Sequence, residues 1–267
     1  MSLKSKAPRP MSPQTKRPPK PSSRAARASL RSRLPTSDFP FVLVNMAMTA
    51  DGKIATANRA VASFGSARDH KHLLDLRATA DAVMSGARTV DSAQINLGPG
   101  GALFRRLRLQ RGLAEYNLRV LVSGSGSINP RAEVFKHRFS PILILTTRRA
   151  SAARRWQLQT LAKEVKICGV ARINFRAALR WLRARWGVTR LLVEGGGELN
   201  AALFGAGLVD ELHLTVCPKV FGGRTAPTIA DGCGALRLTD AADFTLKSAR
   251  RVADEMFLVY SRTRRTG

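Results

Sequence analysis

Short apolar runs, each followed by a turn, constrain the fold of this chain more than any other feature of its sequence. Residues 41–48 form one such run, and residues 118–122 and 190–193 form two others. Runs of this length that are rich in β-branched residues are typical of strands buried on both faces of a parallel sheet. Between them lie segments with helical periodicity, including residues 150–162 and 174–186. This alternation predicts one α/β domain with a mostly parallel sheet.

The C-terminal part of the sequence predicts strands that pair differently. Residues 211–217 alternate between apolar and polar side chains, which predicts a strand. Residues 244–249 and 255–261 predict an antiparallel pair at the edge of the sheet. The remaining predicted strands cover residues 82–85, 141–146 and 165–168.

Three local predictions concern helices and the segments between them. Ser66 is a predicted N-cap, with Asp69 as its partner in a capping box. A helix is predicted over residues 198–204, ended by the glycines that follow it. Residues 91–117, which are rich in glycine and arginine, are predicted to be irregular.

The positive charge of the chain is unevenly distributed. Lys and Arg outnumber Asp and Glu by 45 to 18, and residues 1–36 contain seven prolines and no acidic residue. Such a segment buries too little apolar surface to offset its ordering entropy. We therefore predict a disordered tail over residues 1–36 and a folded domain over residues 37–267. The tail offers a route to non-specific binding of nucleic acid or an anionic membrane, but a solvated arm, or upstream sequence from a misassigned start, is the simpler explanation.

Two absences in the sequence restrict the class of protein. No run approaches 18 consecutive apolar residues, so no transmembrane helix is expected. The three cysteines are far apart and form no Cys-x-x-Cys pair, so neither a disulfide framework nor a zinc site is expected. The four histidines likewise form no metal-binding pattern. These features fit a metal-free protein of the reducing cytoplasm.

A glycine turn after the strand at 190–193 is the strongest local signal for a ligand site. Residues 194–200 read Glu-Gly-Gly-Gly-Glu-Leu-Asn and open a predicted helix. The free amides of a helix N-terminus attract phosphate, and glycine lets the backbone approach it closely. The Rossmann spacing is absent, and a plain tight turn is an equally good interpretation. Glu194, at the end of a buried strand, is expected to face a cleft or to form a structural salt bridge.

Other polar residues also follow buried strands, and the carboxyl ends of parallel strands converge on one crevice. Asp51-Gly52-Lys53 follows the first strand, so Lys53 and Glu194 could share one site. Thr89 follows another strand through Gly86 and is a candidate phosphate or ribose contact. Hydroxyl groups in the segment from Ser123 to Ser127 are candidates for binding a 2′-phosphate, and Arg148 and Arg149 are alternatives. For either segment, a solvated loop is the simpler explanation.

Several motifs in a fixed order resemble the reductase of riboflavin biosynthesis, both the stand-alone type and the C-terminal half of the bacterial deaminase–reductase. The resemblance covers residues 39–261. It implies a dihydrofolate-reductase-like, three-layer α/β/α fold and a homodimer. It also implies reduction, by NADPH, of the ribosyl group of 5-amino-6-(5-phosphoribosylamino)uracil to a ribityl group. The motifs are Asn45–Ala55, Leu76–Ala78, Gly86–Val90, Val193–Asn200, Gly207–Glu211 and Pro218–Pro227.

The resemblance also implies roles for individual residues. Two positions are expected to be catalytic, namely Lys53 and Glu194. The residues expected to bind substrate are Asn45, Thr49, Asp51, Arg77 and Leu97. The residues expected to bind the cofactor are Ala47, Gly86, Thr89, Ser123, Gly195, Gly196, Gly197, Glu198, Leu199 and Asn200.

This chain departs from the family pattern at three places. An Asp-Asp-Pro motif of the relatives is replaced by Ala93-Gln94-Ile95, Gly100 stands near the place of a basic residue, and Ser123-Gly124 replaces Asp-Ser. The zinc deaminase motifs do not occur. These departures keep an alternative open, a reductase of the same fold that acts on a different pterin, imine or carbonyl compound. A second alternative is a nucleic-acid-binding protein without enzymatic activity.

Overall fold

Each of the first six strands is followed by at least one helix that carries the chain back to the same end of the sheet, so the first seven strands run parallel. The computed structural model describes residues 38–59, 64–92 and 94–263. The predicted tail, residues 1–36, lies outside this range. The strands are β1 (Phe41–Thr49), β2 (Ala82–Gly86), β3 (Leu118–Val122), β4 (Ile142–Thr146), β5 (Glu164–Ile167), β6 (Arg190–Val193), β7 (Glu211–Cys217), β8 (Phe244–Val252) and β9 (Glu255–Arg262).

The strands form one nine-stranded sheet in the order β5-β4-β3-β2-β6-β1-β7-β9-β8. The pair β8–β9 and the pair β7–β9 are antiparallel, and the pairs from β5 across to β7 are parallel. The predicted mostly parallel sheet with an antiparallel C-terminal edge is confirmed. β8 is the last strand, almost all of its residues are exposed, and its register with β9 shifts between Leu246 and Ser248.

Helices cover both faces of this sheet, which confirms the three-layer prediction. Leu179 and Leu203 pack on one face, whereas Leu76, Val90 and Leu158 pack on the other. None of the helices in the described ranges has both the length and the hydropathy of a membrane span. The helices are α1 (Ala67–Arg77), α2 (Ala87–Ser92), α3 (Ala102–Gln110), α4 (Glu133–Lys136), α5 (Ala152–Leu161), α6 (Phe175–Trp186) and α7 (Gly197–Gly205).

The predicted irregularity of residues 91–117 is wrong, because this segment contains α3. Ala, Leu, Arg and Gln, which dominate Ala102–Gln110, are all good helix formers. Phe104 and Leu107 lie on the same side as Arg108 but are only half-buried, and the one buried residue of the helix is Arg108. An arginine at the innermost position therefore weakened the amphipathic pattern.

The predicted capping box at the start of α1 is only half correct. The Ser66 hydroxyl accepts hydrogen bonds from the backbone N–H groups of Arg68 and Asp69, as an N-cap should. The Ser66 N–H, however, donates to Glu255 Oε1 at 2.8 Å and not to Asp69. A carboxylate from β9 thus replaces the local partner.

Candidate active site

A cleft of about 880 Å³ lies at the carboxyl ends of the central strands. Residues from or just after β1, β2, β3 and β6 line it, as expected for the crevice of an open parallel sheet. The predicted site residues that line it are Ala47, Gly86, Thr89, Ser123, Glu194, Gly196, Gly197, Glu198 and Leu199. The cleft lining does not include Asn45, Thr49, Asp51, Lys53, Arg77, Leu97, Gly195 or Asn200.

The glycine turn between β6 and α7 packs so closely that side chains would not fit. Gly195 has a φ of 81°, in the left-handed region. A Cβ atom on Gly196 would lie 2.9 Å from the Thr89 hydroxyl oxygen, inside the cleft. The Gly195 carbonyl accepts a 2.9 Å hydrogen bond from the Gly86 N–H, which ties the turn to the end of β2. Gly196 is the N-cap of α7, so the free amides of this helix begin at the cleft wall.

Asn200 supports this turn from behind. Its side chain is fully buried, and its Nδ2 donates to the Ile229 carbonyl at 2.8 Å. Its Oδ1 has no hydrogen-bond partner among the described residues. The predicted cofactor contact of Asn200 therefore stays a prediction, while the observed bond fixes the 227–231 segment, from which Asp231 reaches the cleft.

The loop after β3 supplies hydroxyl groups to the same cleft. Ser123, Ser125 and Ser127 line it, together with Arg149 from the loop after β4. The Ser123 hydroxyl donates to the Ser127 carbonyl at 3.1 Å, which curls the loop. Within the described ranges, no carboxylate pairs with the Arg149 guanidinium. Arg148, the other predicted alternative, is not part of the lining.

These features fit a nicotinamide dinucleotide. Glycines at the ends of β2, β3 and β6 allow the backbone to approach a pyrophosphate, and the N-terminus of α7 offers unpaired N–H groups to it. Hydroxyl groups and the Arg149 guanidinium add further hydrogen-bond donors to the cleft. The volume of the cleft lies in the range of cofactor sites.

Glu194 forms a buried, two-point ion pair with Arg77. Arg77 Nε and Nη2 each donate to one Glu194 oxygen at 2.6 Å, and both side chains are less than a tenth exposed. Arg77 Nη1 donates to the Gly98 carbonyl at 2.7 Å. The salt bridge that the sequence left open is therefore present, yet Glu194 also lines the cleft. The pair is at once a structural contact and a wall of the candidate site.

The turn after β1 directs most of its polar groups to the protein itself. Thr49 is fully buried, and its hydroxyl donates to Asp51 Oδ1 at 2.5 Å and accepts from the Lys53 N–H at 2.9 Å. Asp51 also accepts from the Gly222 N–H at 2.7 Å. The Thr49 hydroxyl does most to hold the pKa of Asp51 below its usual value. Lys53 Nζ lies 3.4 Å from the Ala226 carbonyl, so its predicted meeting with Glu194 in one site stays a prediction.

Asn45 and Leu97 are both buried. The Asn45 side chain is 7% exposed, and its Oδ1 has no hydrogen-bond partner in the described part of the chain. Leu97 is fully buried in the core, and its carbonyl accepts a 2.8 Å hydrogen bond from Asn117 Nδ2. Leu97 has a φ of 56°, unusual for a residue other than glycine. Their predicted substrate contacts stay predictions.

Four charged residues of the cleft had no predicted role, namely Arg59, Arg88, Asp91 and Asp231. Arg59 and Asp231 do not follow a strand, so no pattern along the chain marks them. Asp231 is brought in because its N–H donates to the Gly197 carbonyl at 3.0 Å. In residues 38–59, 64–92 and 94–263, no cluster of three or more His, Cys, Asp or Glu is arranged to hold a metal ion.

Comparisons with known proteins agree with this architecture. A protein of Methanothermobacter thermautotrophicus named 2,5-diamino-6-ribosylamino-4(3H)-pyrimidinone 5′-phosphate reductase is 31% identical over 224 residues, which cover 83% of this chain and 98% of the relative. The protein of the same name from Archaeoglobus fulgidus is 34% identical over 193 residues, 72% of this chain and 87% of the relative.

Solved structures share the fold. A structure of Acinetobacter baumannii RibD superposes with a TM-score of 0.66 at 17% identity, over 85% of this chain. The match spans 59% of that RibD chain, so this protein corresponds to about three fifths of it. The model of the RibD C-terminal domain matches residues 40–258 of this sequence. The chain therefore belongs to the RibD C-terminal domain family.

Proposed function

We propose that this protein is an NADPH-dependent reductase of riboflavin biosynthesis. Its substrate is a phosphorylated ribosylaminopyrimidine, whose ribosyl group is reduced to a ribityl group. The observation that carries the proposal is the glycine-walled cleft at the carboxyl ends of the parallel strands, with a buried carboxylate, Glu194, on its wall. The reductase names of the archaeal relatives, and the nicotinamide cofactor generally used in this family, support it.

The cleft residues have distinct tasks in this proposal. The N–H groups of Gly196 and Gly197 bind the pyrophosphate of the cofactor, and Thr89 lies opposite them. The Ser123–Ser127 loop and Arg149 bind the 2′-phosphate, which selects NADPH over NADH. When bound, the reduced nicotinamide supplies a hydride.

The protein positions the substrate and moves a proton. Reduction turns the C1′=N double bond of the ring-opened ribosylamine into a single bond, with the hydride on C1′ and a proton on nitrogen. Glu194 orients that amine or relays the proton, and Arg77 fixes the carboxylate with two hydrogen bonds. Lys53 holds a polar group of the substrate. Asn45, Thr49, Asp51 and Leu97 shape the mouth of the site around it.

Two pyrimidines are candidate substrates, and they differ in whether the amino group is lost before or after the reduction. Sequence resemblance points to 5-amino-6-(5-phosphoribosylamino)uracil, whereas the names of the archaeal relatives favour the 2,5-diamino pyrimidinone, which has not lost its amino group. The enzyme acts in the cytoplasm as a homodimer. Both of these points are parts of the proposal.

Oxidation of NADPH by the purified protein, measured with each pyrimidine in turn and repeated with NADH, tests the proposal. We expect substrate-dependent oxidation of NADPH that is much faster than that of NADH. Lys53→Met should raise the KM of the pyrimidine roughly tenfold, equivalent to about 1.4 kcal/mol of lost binding. Lys163→Met, which removes an exposed ammonium group on another part of the surface, is the control. NADPH binding without turnover of either pyrimidine would refute the substrate and redirect the search to other imines and carbonyls.

A further inference from the structure

Two arginines are almost completely buried without forming a salt bridge. Arg108 on α3 and Arg119 on β3 are each 1% exposed, and neither forms an ion pair with any described carboxylate. Burial lowers the pKa of each guanidinium to about 10. Burial of a cation costs free energy unless its N–H groups are hydrogen-bonded. The acceptors of each arginine therefore show which part of the structure it stabilises.

The donors of Arg108 converge on the C-terminal end of α1. Its Nη1 donates to the carbonyls of Arg77 and Ala80, both at 2.6 Å, and its Nε donates to Ala114 at 2.9 Å. From the same segment, Arg111 donates to the Ala78 carbonyl at 3.1 Å. The last carbonyls of a helix lack partners within the helix and carry partial negative charge. Two guanidinium groups therefore hold this end of α1.

Arg77, whose carbonyl is bonded by Arg108, is also the residue that pairs with Glu194. The Arg77 carbonyl accepts from Arg108, while the Arg77 side chain donates to both Glu194 oxygens and to the Gly98 carbonyl. A shift of the last turn of α1 would move the Arg77 guanidinium and, with it, the carboxylate on the cleft wall.

We infer that Arg108 is a positioning residue for the active site. Through the C-terminal turn of α1 it fixes Arg77, and Arg77 fixes the Glu194 carboxylate at the cleft. Arg108 does not line the cleft, so it acts only through this chain of contacts. The inference rests on the proposed function for its catalytic consequence, but its geometric part does not need the substrate.

Arg119 provides the matched control. Its Nη1 donates to Val134 at 2.7 Å, its Nη2 to the Ser140 carbonyl at 2.5 Å, and its guanidinium lies 4.3 Å from the centre of the Phe139 ring. It shares the burial of Arg108 and its dependence on backbone carbonyls. Its partners all lie in residues 134–140, and none of them lines the cleft.

The test compares Arg108→Lys with Arg119→Lys in the full chain. Lysine keeps the charge but not the planar fork, so both variants should melt at lower temperatures. We expect Arg108→Lys to lower kcat/KM for the pyrimidine roughly tenfold, because small displacements of catalytic groups strongly reduce the rate of the reaction. Its dissociation constant for NADPH should stay within about twofold of wild type. Arg119→Lys should leave both values unchanged.

A substrate-free measurement separates this inference from the proposed function. In ¹⁵N NMR spectra, the Nε–H signal of Arg77, assigned by its loss in Arg77→Lys, reports the pair with Glu194. We expect this signal to shift and exchange faster in Arg108→Lys and to be unchanged in Arg119→Lys. Absence of turnover in the wild type would refute the proposed function, and the NMR comparison would still decide the role of Arg108.

A folded Arg108→Lys variant with an unchanged Arg77 signal and unchanged kcat/KM would overturn the inference. If Arg108→Lys does not fold, Arg111→Gln decides, since it removes an outer contact to the same turn. It should shift the Arg77 signal in the same direction, by a smaller amount. An unaltered signal in that variant would overturn the inference as well.

Discussion

The charged groups at the two ends of helix α1 have opposite environments. At the C-terminal end, Arg77 and Glu194 face each other with two short hydrogen bonds between opposite charges. Toward the N-terminal end, Asp69 and His72 pack against the antiparallel part of the sheet. Burial raises the pKa of Asp69, with help from the Glu255 charge, and burial lowers the pKa of His72, with help from His213.

The difference lies in the partner, since the charges at the more deeply buried end are the ones that are paired. A buried charge persists where an opposite charge with good geometry offsets its desolvation, and otherwise the neutral form is favoured. The charges of Arg77 and Glu194 therefore stabilise the native state. At the other end, the native state would be more stable with Asp69 and His72 in their neutral forms. Substitutions that remove one charge should consequently have opposite effects at the two ends.

The largest effect is expected from Glu194→Gln. The substitution leaves the buried Arg77 guanidinium without its counter-charge, which should cost roughly 3 kcal/mol of the free energy of unfolding. Turnover should fall far more than NADPH affinity, by at least about a hundredfold if Glu194 also acts in proton transfer. Urea denaturation and steady-state kinetics measure the two effects.

Glu198→Gln is the matched control for the effect of that substitution on stability. Glu198 pairs with Arg88 at 2.9 Å, but their side chains are 63% and 69% exposed. Loss of such a surface pair should cost less than about 1 kcal/mol. Equal destabilisation by the two substitutions would remove the distinction between paired burial and paired exposure.

A smaller effect of opposite sign is expected from Asp69→Asn. Because the native pKa of Asp69 lies above its unfolded value of 3.8, its stabilising contribution is present below pH 3.8 and is lost as pH rises through the native pKa. The neutral amide should avoid that loss and raise the free energy of unfolding at pH 7, by on the order of 0.5 kcal/mol. Urea denaturation at pH 7 measures it. A clear destabilisation would mean that the carboxylate is needed there.

The smallest effect is a pH dependence that arises from His72. Its native pKa lies below the unfolded value of 6.5, so the unfolded chain takes up the proton that the native state resists. Stability should therefore fall as pH is lowered through 6.5, by less than about 0.5 kcal/mol. The charged or titratable groups that face His72 are His213 on β7, Arg250 on β8, and Lys71 and Asp75 on α1.

Thermal unfolding between pH 7 and pH 5 tests this dependence. His72→Gln should flatten the decrease, and His70→Gln, an exposed histidine on the same helix, should not. A decrease that persists unchanged in His72→Gln would assign the pH dependence to other groups.

Most of the fold could be predicted from sequence, because its signals are local. Apolar runs located the strands, and helical periodicity over residues 174–186 located α6, where the Asn174 side chain accepts from the Ala177 N–H. The helices that were not predicted are the short α2 and α4 and the longer α3, whose buried position is Arg108. Hydrophobic periodicity cannot reveal a helix that turns an arginine inward.

The candidate site was predictable only in part, for the same reason. Glycines and hydroxyls that directly follow strands, such as Gly86, Gly196 and Ser123, do line the cleft. The polar residues of the turn after β1 also follow a strand, but Asp51 is engaged by the N–H of Gly222. Position at a strand end predicts where a residue lies, and it does not predict whether distant segments have already taken its hydrogen bonds.

The outermost strand, β8, has a consequence for how copies of this protein meet. An open edge of a sheet invites pairing with another edge and, through it, aggregation. Here the edge carries Lys247, Arg250 and Arg251, and a register shift after Leu246 disturbs its regular ladder. Cations and bulges are the devices by which proteins prevent edge-to-edge pairing. These features of β8 should therefore keep this edge of the sheet from pairing with the edge of another copy.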